Sequence, residues 1–251
     1  MNLEKTYFDG VSFESYGIVV ERVHDPIPDM REDMEPKQGG HGSHLSQLSL
    51  DSREITVECR YFGDRWQDFD DMMDELSRWL VTDGDRVLAL RNNPGQVYLA
   101  HYKSYEEGER EGGKGIGGFE ITFTASDPLR YGETRAAIVS DATKRFEVGG
   151  TDEADLTITV RNARGAQTDE GVLLSMAFDG ERDSYELSAI MPDATQHEVS
   201  LDCVRHVVRV DGEVSGLTPL SRWPEFGPGV WNVSFAAGSG VATLSWIQRY
   251  R

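Results

Sequence analysis

Few residues of this chain have a type and spacing that could do chemistry. His41 and His44, in the segment GGHGSH, are the most suggestive because imidazole nitrogens bind transition metals. The surrounding loop supplies no cysteine, and nearby acids such as Glu35 do not stand at a recognisable ligand spacing. We therefore expect a solvated or interface loop here, and we predict no metal site.

Other reactive-looking segments have ordinary explanations. The run GGKGIGG, from Gly112 to Gly118, lacks the Gly-Lys-Ser/Thr ending of a phosphate-binding loop and precedes a strand. Asn232-Val233-Ser234 is a glycosylation sequon inside a predicted strand. One predicted helix has an acidic face, as expected for a face in contact with solvent. This face consists of Asp68, Asp70, Asp71, Asp74 and Glu75. Without a nucleophile elbow or zinc-protease helix, the sequence predicts no catalytic, cofactor-binding or metal residue and no enzyme.

The composition is strongly acidic. The chain has 44 aspartates and glutamates against 25 lysines and arginines, a net charge of −19. Lysine is rare, and the lysines are Lys5, Lys37, Lys103, Lys114 and Lys144. This pattern is typical of halophiles, in which molar salt screens self-repulsion, and an ordinary acidic mesophilic protein is the alternative. No basic stripe is visible, so binding to nucleic-acid phosphates is not expected.

The cysteines and the hydropathy of the chain argue against a disulfide-rich, membrane-inserted or secreted protein. Cys59 and Cys203 lie in strand-like segments of different halves, which predicts two buried free thiols rather than a disulfide framework. No apolar run reaches about 18 residues. The segment MNLEKTYFDG lacks the pattern of a signal peptide. We therefore expect neither membrane insertion nor export through a secretory channel.

The first half of the chain alternates short strands with one amphipathic helix. Apolar residues at helical spacing predict a helix from Trp66 to Leu80, with Asp64 as N-cap and Gln67 completing a capping box. Predicted strands cover residues 7–8, 18–20, 45–50, 53–61, 86–90, 96–102 and 119–125. Polar residues 24–44 are interpreted as an exposed loop or arm, and residues 105–118 as a flexible hairpin tip.

The second half has no convincing helical period. Predicted strands cover residues 156–160, 172–178, 184–190, 198–201, 204–210, 231–235 and 241–247. Asp211-Gly212 and Gly227-Pro228-Gly229 supply turns between them. About seven short strands separated by turns predict an antiparallel β-sandwich, with the domain boundary between Gly132 and Gly150.

The order of these segments resembles that of siphovirus distal tail proteins. REITVECRYFGDRWQDFDDMMDELSRWLVTDGDRVLALRNNPGQVYLAHYKS (53–104) is similar to the strand–helix–hairpin centre of that family, and FEITFTASDPLRYG (119–132) to its closing strand. SLDCVRHVVRVDGE (200–213) and WPEFGPGVWNVSF (223–235) resemble segments of its second domain. These are packing and turn residues, and their order and spacing together carry the resemblance.

The resemblance implies a mainly β, two-domain structural protein of the virion. Residues 1–132 would form a ring-forming β-sandwich with one helix and a projecting hairpin, and residues 133–251 a galectin-like β-sandwich. Six copies would form a hub ring at the tail tip, or baseplate, assembled in the host cytoplasm. The ring would join the tail tube protein to the tail-tip hub, fibre or lysin protein. An acidic bore would let the genome pass without binding. Residues 24–44 and 105–118 are the expected contacts between subunits or rings.

Two alternatives remain open. Galectins bind sugars with histidine, asparagine and arginine on a strand and a nearby tryptophan, and Arg205-His206 with Trp223-Pro224-Glu225 match this in part. A carbohydrate-binding adhesion module that contacts the host surface is therefore one alternative. The hub of a tail-derived particle is the other, because a hub would meet the same structural requirements there as in a virus.

Overall fold

The computed structural model describes residues 5–37, 39–63, 66–110, 115–140 and 142–251. The chain divides into two compact units, Met1–Tyr131 with Arg251 (unit 1) and Gly132–Tyr250 (unit 2). The predicted fold class, mainly β in two parts with one helix in the first, is confirmed. The ring-forming and galectin-like characters of residues 1–132 and 133–251 stay predictions.

The described part of unit 1 contains nine strands, one α-helix and one short 3₁₀ helix (Phe13–Tyr16). The helix α1 spans Trp66–Leu80, as predicted. The strands are β1 (Tyr7–Phe8), β2 (Val11–Ser12), β3 (Ile18–His24), β4 (Met30–Pro36), β5 (Ser43–Leu50), β6 (Arg53–Gly63), β7 (Arg86–Ala89), β8 (Val97–Arg110) and β9 (Gly115–Ala125).

Antiparallel pairing connects most strands of unit 1 in the order β3-β6-β9-β8-β7-β1-β2. Strand β6 buries alternate residues, as its period-2 pattern predicts. On this face Ile55 pairs with Phe123 and Val57 with Ile121, and all four side chains are fully buried. Strand β8 pairs with β7 through its first residues and with β9 through the rest, so it joins the two parts of the sheet.

Helix α1 packs on β6 and β9. Its apolar stripe is core, as predicted: Phe69, Met72, Leu76 and Leu80 are buried. The acidic residues Asp70, Asp71, Asp74 and Glu75 are exposed. The predicted N-cap Asp64 and the side chain of Gln67 lie outside the described residues. The helix therefore covers the sheet with one face and presents carboxylates to solvent with the other.

Two predictions in unit 1 are right in part: an exposed arm and a hairpin are present, but both contain more strand than predicted. Residues 30–36 and 43–44 of the segment 24–44 are strand and not loop, because β4 pairs with β5 as a separate two-stranded sheet. Most of residues 105–118 are also strand, because β8 and β9 continue their pairing out to Arg110 and Gly117. Local polarity suggested loops in both places, but cross-strand hydrogen bonds satisfy these polar segments equally well. Residues 111–114 lie outside the described residues.

The described part of unit 2 contains strands and turns. Its strands are β10 (Arg130–Val139, which contains the boundary), β11 (Lys144–Val148), β12 (Asp152–Arg164), β13 (Ala166–Thr168), β14 (Gly171–Gly180), β15 (Ser184–Ile190), β16 (Gln196–Asp202), β17 (Val207–Val210), β18 (Glu213–Ser215), β19 (Gly229–Ala237) and β20 (Ser239–Tyr250).

These strands form two layers. In the first sheet of unit 2 the order is β18-β17-β16-β12-β20-β10; in the second it is β11-β19-β14-β13, with β15 also on β14. Buried side chains from both sheets form one core, including Ile158 and Leu244 from the first sheet and Met176, Phe178 and Val233 from the second. The layers are the sandwich that the alternating strands of this half predicted.

Sequence reasoning placed one strand wrongly and missed others. The strand predicted over 204–210 begins at Val207, and Arg205 and His206 lie in a turn. His206 has φ +55°, which is a left-handed conformation. The strands β10, β11, β13 and β18 were not predicted. Three of these have five or fewer residues, too few to show a period.

The two cysteines are buried free thiols, as predicted. Burial raises the pKa of both thiols above the ordinary value, to about 12 for Cys203. No helix in the described ranges is long and apolar enough to cross a membrane.

Candidate assembly surface and clefts

Strands β4 and β5 form a two-stranded ribbon, called the arm, with one apolar face. Met30, Met34, Leu45 and Leu48 lie on this face, and each remains between 49% and 57% exposed. Glu32, opposite Leu48, is the one charged residue among them. The opposite face is polar and carries Arg31, Asp33, Gln47 and Ser49. An isolated two-stranded ribbon is marginally stable in water, so an exposed apolar face on one indicates a surface that another body covers.

A β-bulge sets the polarity of the arm. Asp33 pairs with Gln47 and Met34 with Leu45, so Ser46 is an extra residue in β5. The hydroxyl of Ser46 donates a hydrogen bond to the carbonyl oxygen of Asp33 at 3.1 Å. Without the extra residue Leu45 and Leu48, three positions apart, would point to opposite faces; the bulge brings both to the apolar face.

A buried polar cluster closes the base of the arm. Asp25 precedes β4 and Arg53 follows β5, and their side chains form an ion pair at 3.2 Å with only 8% and 3% exposure. The Tyr98 hydroxyl donates to Asp25 at 2.7 Å and accepts a hydrogen bond from Arg53. The Asn93 amide donates to the other carboxylate oxygen at 2.8 Å. We call these four residues the base clamp, because they tie together the chain segments on either side of the arm.

The residues considered for metal binding do not assemble a site. His44 lies opposite Glu35 on the polar face of the arm, and His41 lies in its turn; both histidines are exposed. Among the described residues no group of histidine, cysteine, aspartate and glutamate side chains could hold a metal ion.

The structure brings together the residues considered for sugar binding, except Arg205. A cleft of about 300 Å³ in unit 2 is lined by His206, Trp223 and Glu225, among others. The His206 imidazole stacks on the Trp223 indole, with ring centroids 5.0 Å apart and planes 11° apart. Arg205 does not line this cleft, and its side chain is 81% exposed. The histidine therefore covers an aromatic face on which a sugar would stack.

A histidine held by two aspartates was not found from the sequence. His197 Nδ1 lies 2.6 Å from Asp211 and its Nε2 lies 3.0 Å from Asp193. Hydrogen bonds with Asp211 and then Asp193 raise the pKa of His197. The pKa of Asp193 falls to about 2, chiefly through the hydroxyl of Thr195. This cluster ties the loop before β16 to the turn after β17.

The comparisons with known proteins agree with the fold. Residues 11–125 match the family model of the phage tail protein RIFT-related domain. The crystal structure of SPP1 Dit, described as a paradigm of the hub adsorption apparatus in phages that infect Gram-positive bacteria, matches with a TM-score of 0.78. That match has 18% identity and covers 98% of this chain and 99% of SPP1 Dit. The predicted resemblance to siphovirus distal tail proteins is confirmed.

Weaker matches add no argument. The phage P2 baseplate in its activated conformation with Ca is similar at a TM-score of 0.36 and 10% identity, with 90% of each chain covered. A search of curated protein sequences gives no match.

Proposed function

We propose that this protein is the distal tail hub of a long-tailed, siphovirus-like virus, a structural component of the virion tail. One observation supports this most: the fold shared with SPP1 Dit extends over nearly the whole of both chains. The match of residues 11–125 to a phage tail domain agrees with it. The neighbours of the ring would be the tail tube protein and the tail-tip hub or fibre protein, at the tip of a tail assembled in the host cytoplasm.

We propose that the arm joins neighbouring copies in a hexameric ring. Its apolar face is half exposed in one chain, and a second copy is the partner that a ring supplies to every subunit. The base clamp holds both ends of the arm in buried positions, so the ribbon is presented in a defined direction. We also propose that unit 2 is a galectin-like β-sandwich.

The charge fits this assembly when salt is high. A net charge of −19 on each copy opposes association in dilute buffer. At 1 M salt the Debye length is about 3 Å, which screens repulsion between exposed charges and leaves apolar contact as the main term. A halophilic host and an acidic bore that repels DNA phosphates are parts of this proposal.

The adhesion alternative has less support. The Trp223 indole is covered by His206, and Arg205 does not line the same cleft. A tail-derived particle would use the same ring, and the genes next to the one that encodes this protein would distinguish such a particle from a virus.

The test is the mass of the purified chain by light scattering, at about 0.1 M and 2 M salt. We expect a mass six times that of the 28.1-kDa chain, or a shift toward it at high salt. The double variant Leu45→Asn/Leu48→Asn removes the apolar face of the arm and should lower that mass. Gln47→Asn/Ser49→Asn changes the polar face of the same strand and is the matched control.

The outcomes separate the parts of the proposal. Loss of assembly in the first variant alone supports the arm as the interface. Equal assembly of both variants would reject the arm while keeping the ring. A monomer at every salt concentration would reject self-assembly.

A further inference from the structure

A second cleft in unit 2, of about 290 Å³, opens on the face of the second sheet that points away from the core. Its floor is a row of small residues aligned by strand register. Ser175 on β14 is opposite Ala237 on β19 and Ser188 on β15. Thr218 continues the row, because its backbone N–H donates to the Ser188 carbonyl oxygen at 3.0 Å. Small side chains in one row across several strands leave a depression where larger residues would fill the surface.

The floor is polar and deeply buried. Ser175, Ser188 and Thr218 are only 3%, 7% and 8% exposed. The Ser175 and Ser188 hydroxyls lie 2.7 Å apart, and Ser188 also donates to the Glu186 carboxylate at 3.3 Å. A serine has one hydroxyl hydrogen, so Ser175 must donate to Ser188. Its oxygen then keeps lone pairs that face the cleft and can only accept hydrogen bonds.

The other hydroxyls are committed in the same way. The Ser221 hydroxyl lies 3.1 Å from Thr218 and donates to the Ser188 carbonyl oxygen at 3.5 Å. The hydroxyl of Thr168 donates to the carbonyl oxygen of Gly171 at 2.9 Å. With Ser221 donating to the carbonyl oxygen, Thr218 donates to Ser221, whose oxygen also accepts from the Ser188 N–H at 2.9 Å. The acceptor oxygens that remain for a ligand are therefore mainly those of Ser175, Ser188 and Thr218.

The rim has the same polarity. Glu170 and Glu186 are exposed carboxylates that line the cleft, and Leu173 and Leu220 supply apolar contacts. No lysine, arginine or histidine of the described chain lines it. An anionic ligand would find negative charge and no cationic donor there.

We propose that this hydroxyl cleft binds a ligand through a protonated amino group. An ammonium group has three donors and no acceptor, which complements a site that offers acceptors and two carboxylates. A neutral sugar hydroxyl both donates and accepts, so such a site would use only part of its capacity. The proposal is independent of the hub function, because it concerns a cleft within unit 2 alone.

The test compares three sugars that differ in one substituent by titration calorimetry at about pH 6 and low salt, where glutamates are ionised. Glucosamine carries an amino group, N-acetylglucosamine an uncharged amide, and glucose a hydroxyl at the same carbon. We expect glucosamine to bind most tightly. Addition of salt should weaken its binding, because part of the attraction is ionic.

Variants connect this binding to the cleft. Glu186→Gln should weaken glucosamine binding by about tenfold, because it removes one charge-assisted contact. Glu147→Gln makes the same change at an exposed residue of β11 in the same sheet, away from the cleft, and should leave binding unchanged. Equal affinity for the three sugars, no heat of binding for glucosamine, or equal effects of the two variants would overturn the proposal.

Discussion

The base clamp gives a prediction whose size follows from burial. Asp25→Ala removes a carboxylate that is bonded to Arg53, Tyr98 and Asn93. The Arg53 guanidinium is 3% exposed and would keep its charge, because arginine stays protonated in proteins. The variant therefore leaves a buried cation without its counterion and two donors without their acceptor.

The expected loss of folding stability in Asp25→Ala is large. Removing one partner of a buried ion pair costs about 3–5 kcal/mol, against about 0–1 kcal/mol for an exposed pair. Unit 1 supplies the matched exposed pair, Arg60–Glu21, with a 2.7 Å separation and side chains 36% and 45% exposed. Glu21→Ala should therefore cost under about 1 kcal/mol. Both pairs join an arginine to a carboxylate, so the difference between the variants measures the burial of the pair together with the hydrogen bonds that Asp25 accepts from Tyr98 and Asn93.

The assay is urea unfolding followed by circular dichroism at the helical band. Helix α1 belongs to unit 1, and the described part of unit 2 contains no helix, so this signal reports the unit that holds the clamp. Hydrogen exchange read by mass spectrometry adds a local measurement. In Asp25→Ala, amides of β4 and β5 should exchange faster than in Glu21→Ala.

Similar free energies of unfolding for the two variants would refute the reasoning, because burial would then have no effect on the pair. Unchanged exchange in the arm of Asp25→Ala would show that the clamp does not hold the ribbon.

Two further predictions concern unit 2. His197 has a raised pKa in the folded state, so its stabilisation is complete below the unfolded value of 6.5 and is lost as pH rises through the folded value. The free energy of unfolding should thus fall as pH rises above 6.5 in the wild type and less so in His197→Gln, as measured in urea at each pH. Gly238→Ala places a methyl group 2.4 Å from the Arg164 carbonyl oxygen at φ +81°, whereas Gly212→Ala at φ +85° meets open space. The first should cost clearly more than the roughly 1 kcal/mol of backbone strain expected for the second, and equal melting temperatures would contradict this.

Elements with a clear period were predictable from the sequence. Helix α1 and strand β15 begin and end where the pattern places them. The helix shows a clear period because it buries one face against a single sheet. Strand β4 of the arm was missed because its side chains are all exposed: it reads Met-Arg-Glu-Asp-Met-Glu-Pro, without a buried position. An alternating pattern of apolar residues indicates which residues are buried. A strand that buries no side chain within its own chain therefore need not show that pattern.

The candidate sites were predictable only in part. His206 and Trp223 were noticed through a family resemblance, and the structure stacks them. The hydroxyl cleft gave no usable signal, because Ser175, Ser188 and Thr218 are common residues on separate segments. Strand pairing brings them into one row, and sequence order alone does not specify which strands pair.

The arm depends on pairing in the same way, and this bears on how it would work in the proposed ring. Asp25 and Arg53 are far apart in sequence, yet one ion pair joins them where the ribbon begins and ends. The bulge at Ser46 then decides which way Leu45 points. A rigid base and a fixed apolar face reduce the conformational entropy that a ribbon loses on docking. That saving matters most for a chain of charge −19, because its copies repel each other before they touch. Preorganisation of the arm and screening by salt would therefore both favour assembly: the first lowers the entropy cost of ordering the contact, and the second lowers the electrostatic cost of bringing the copies together.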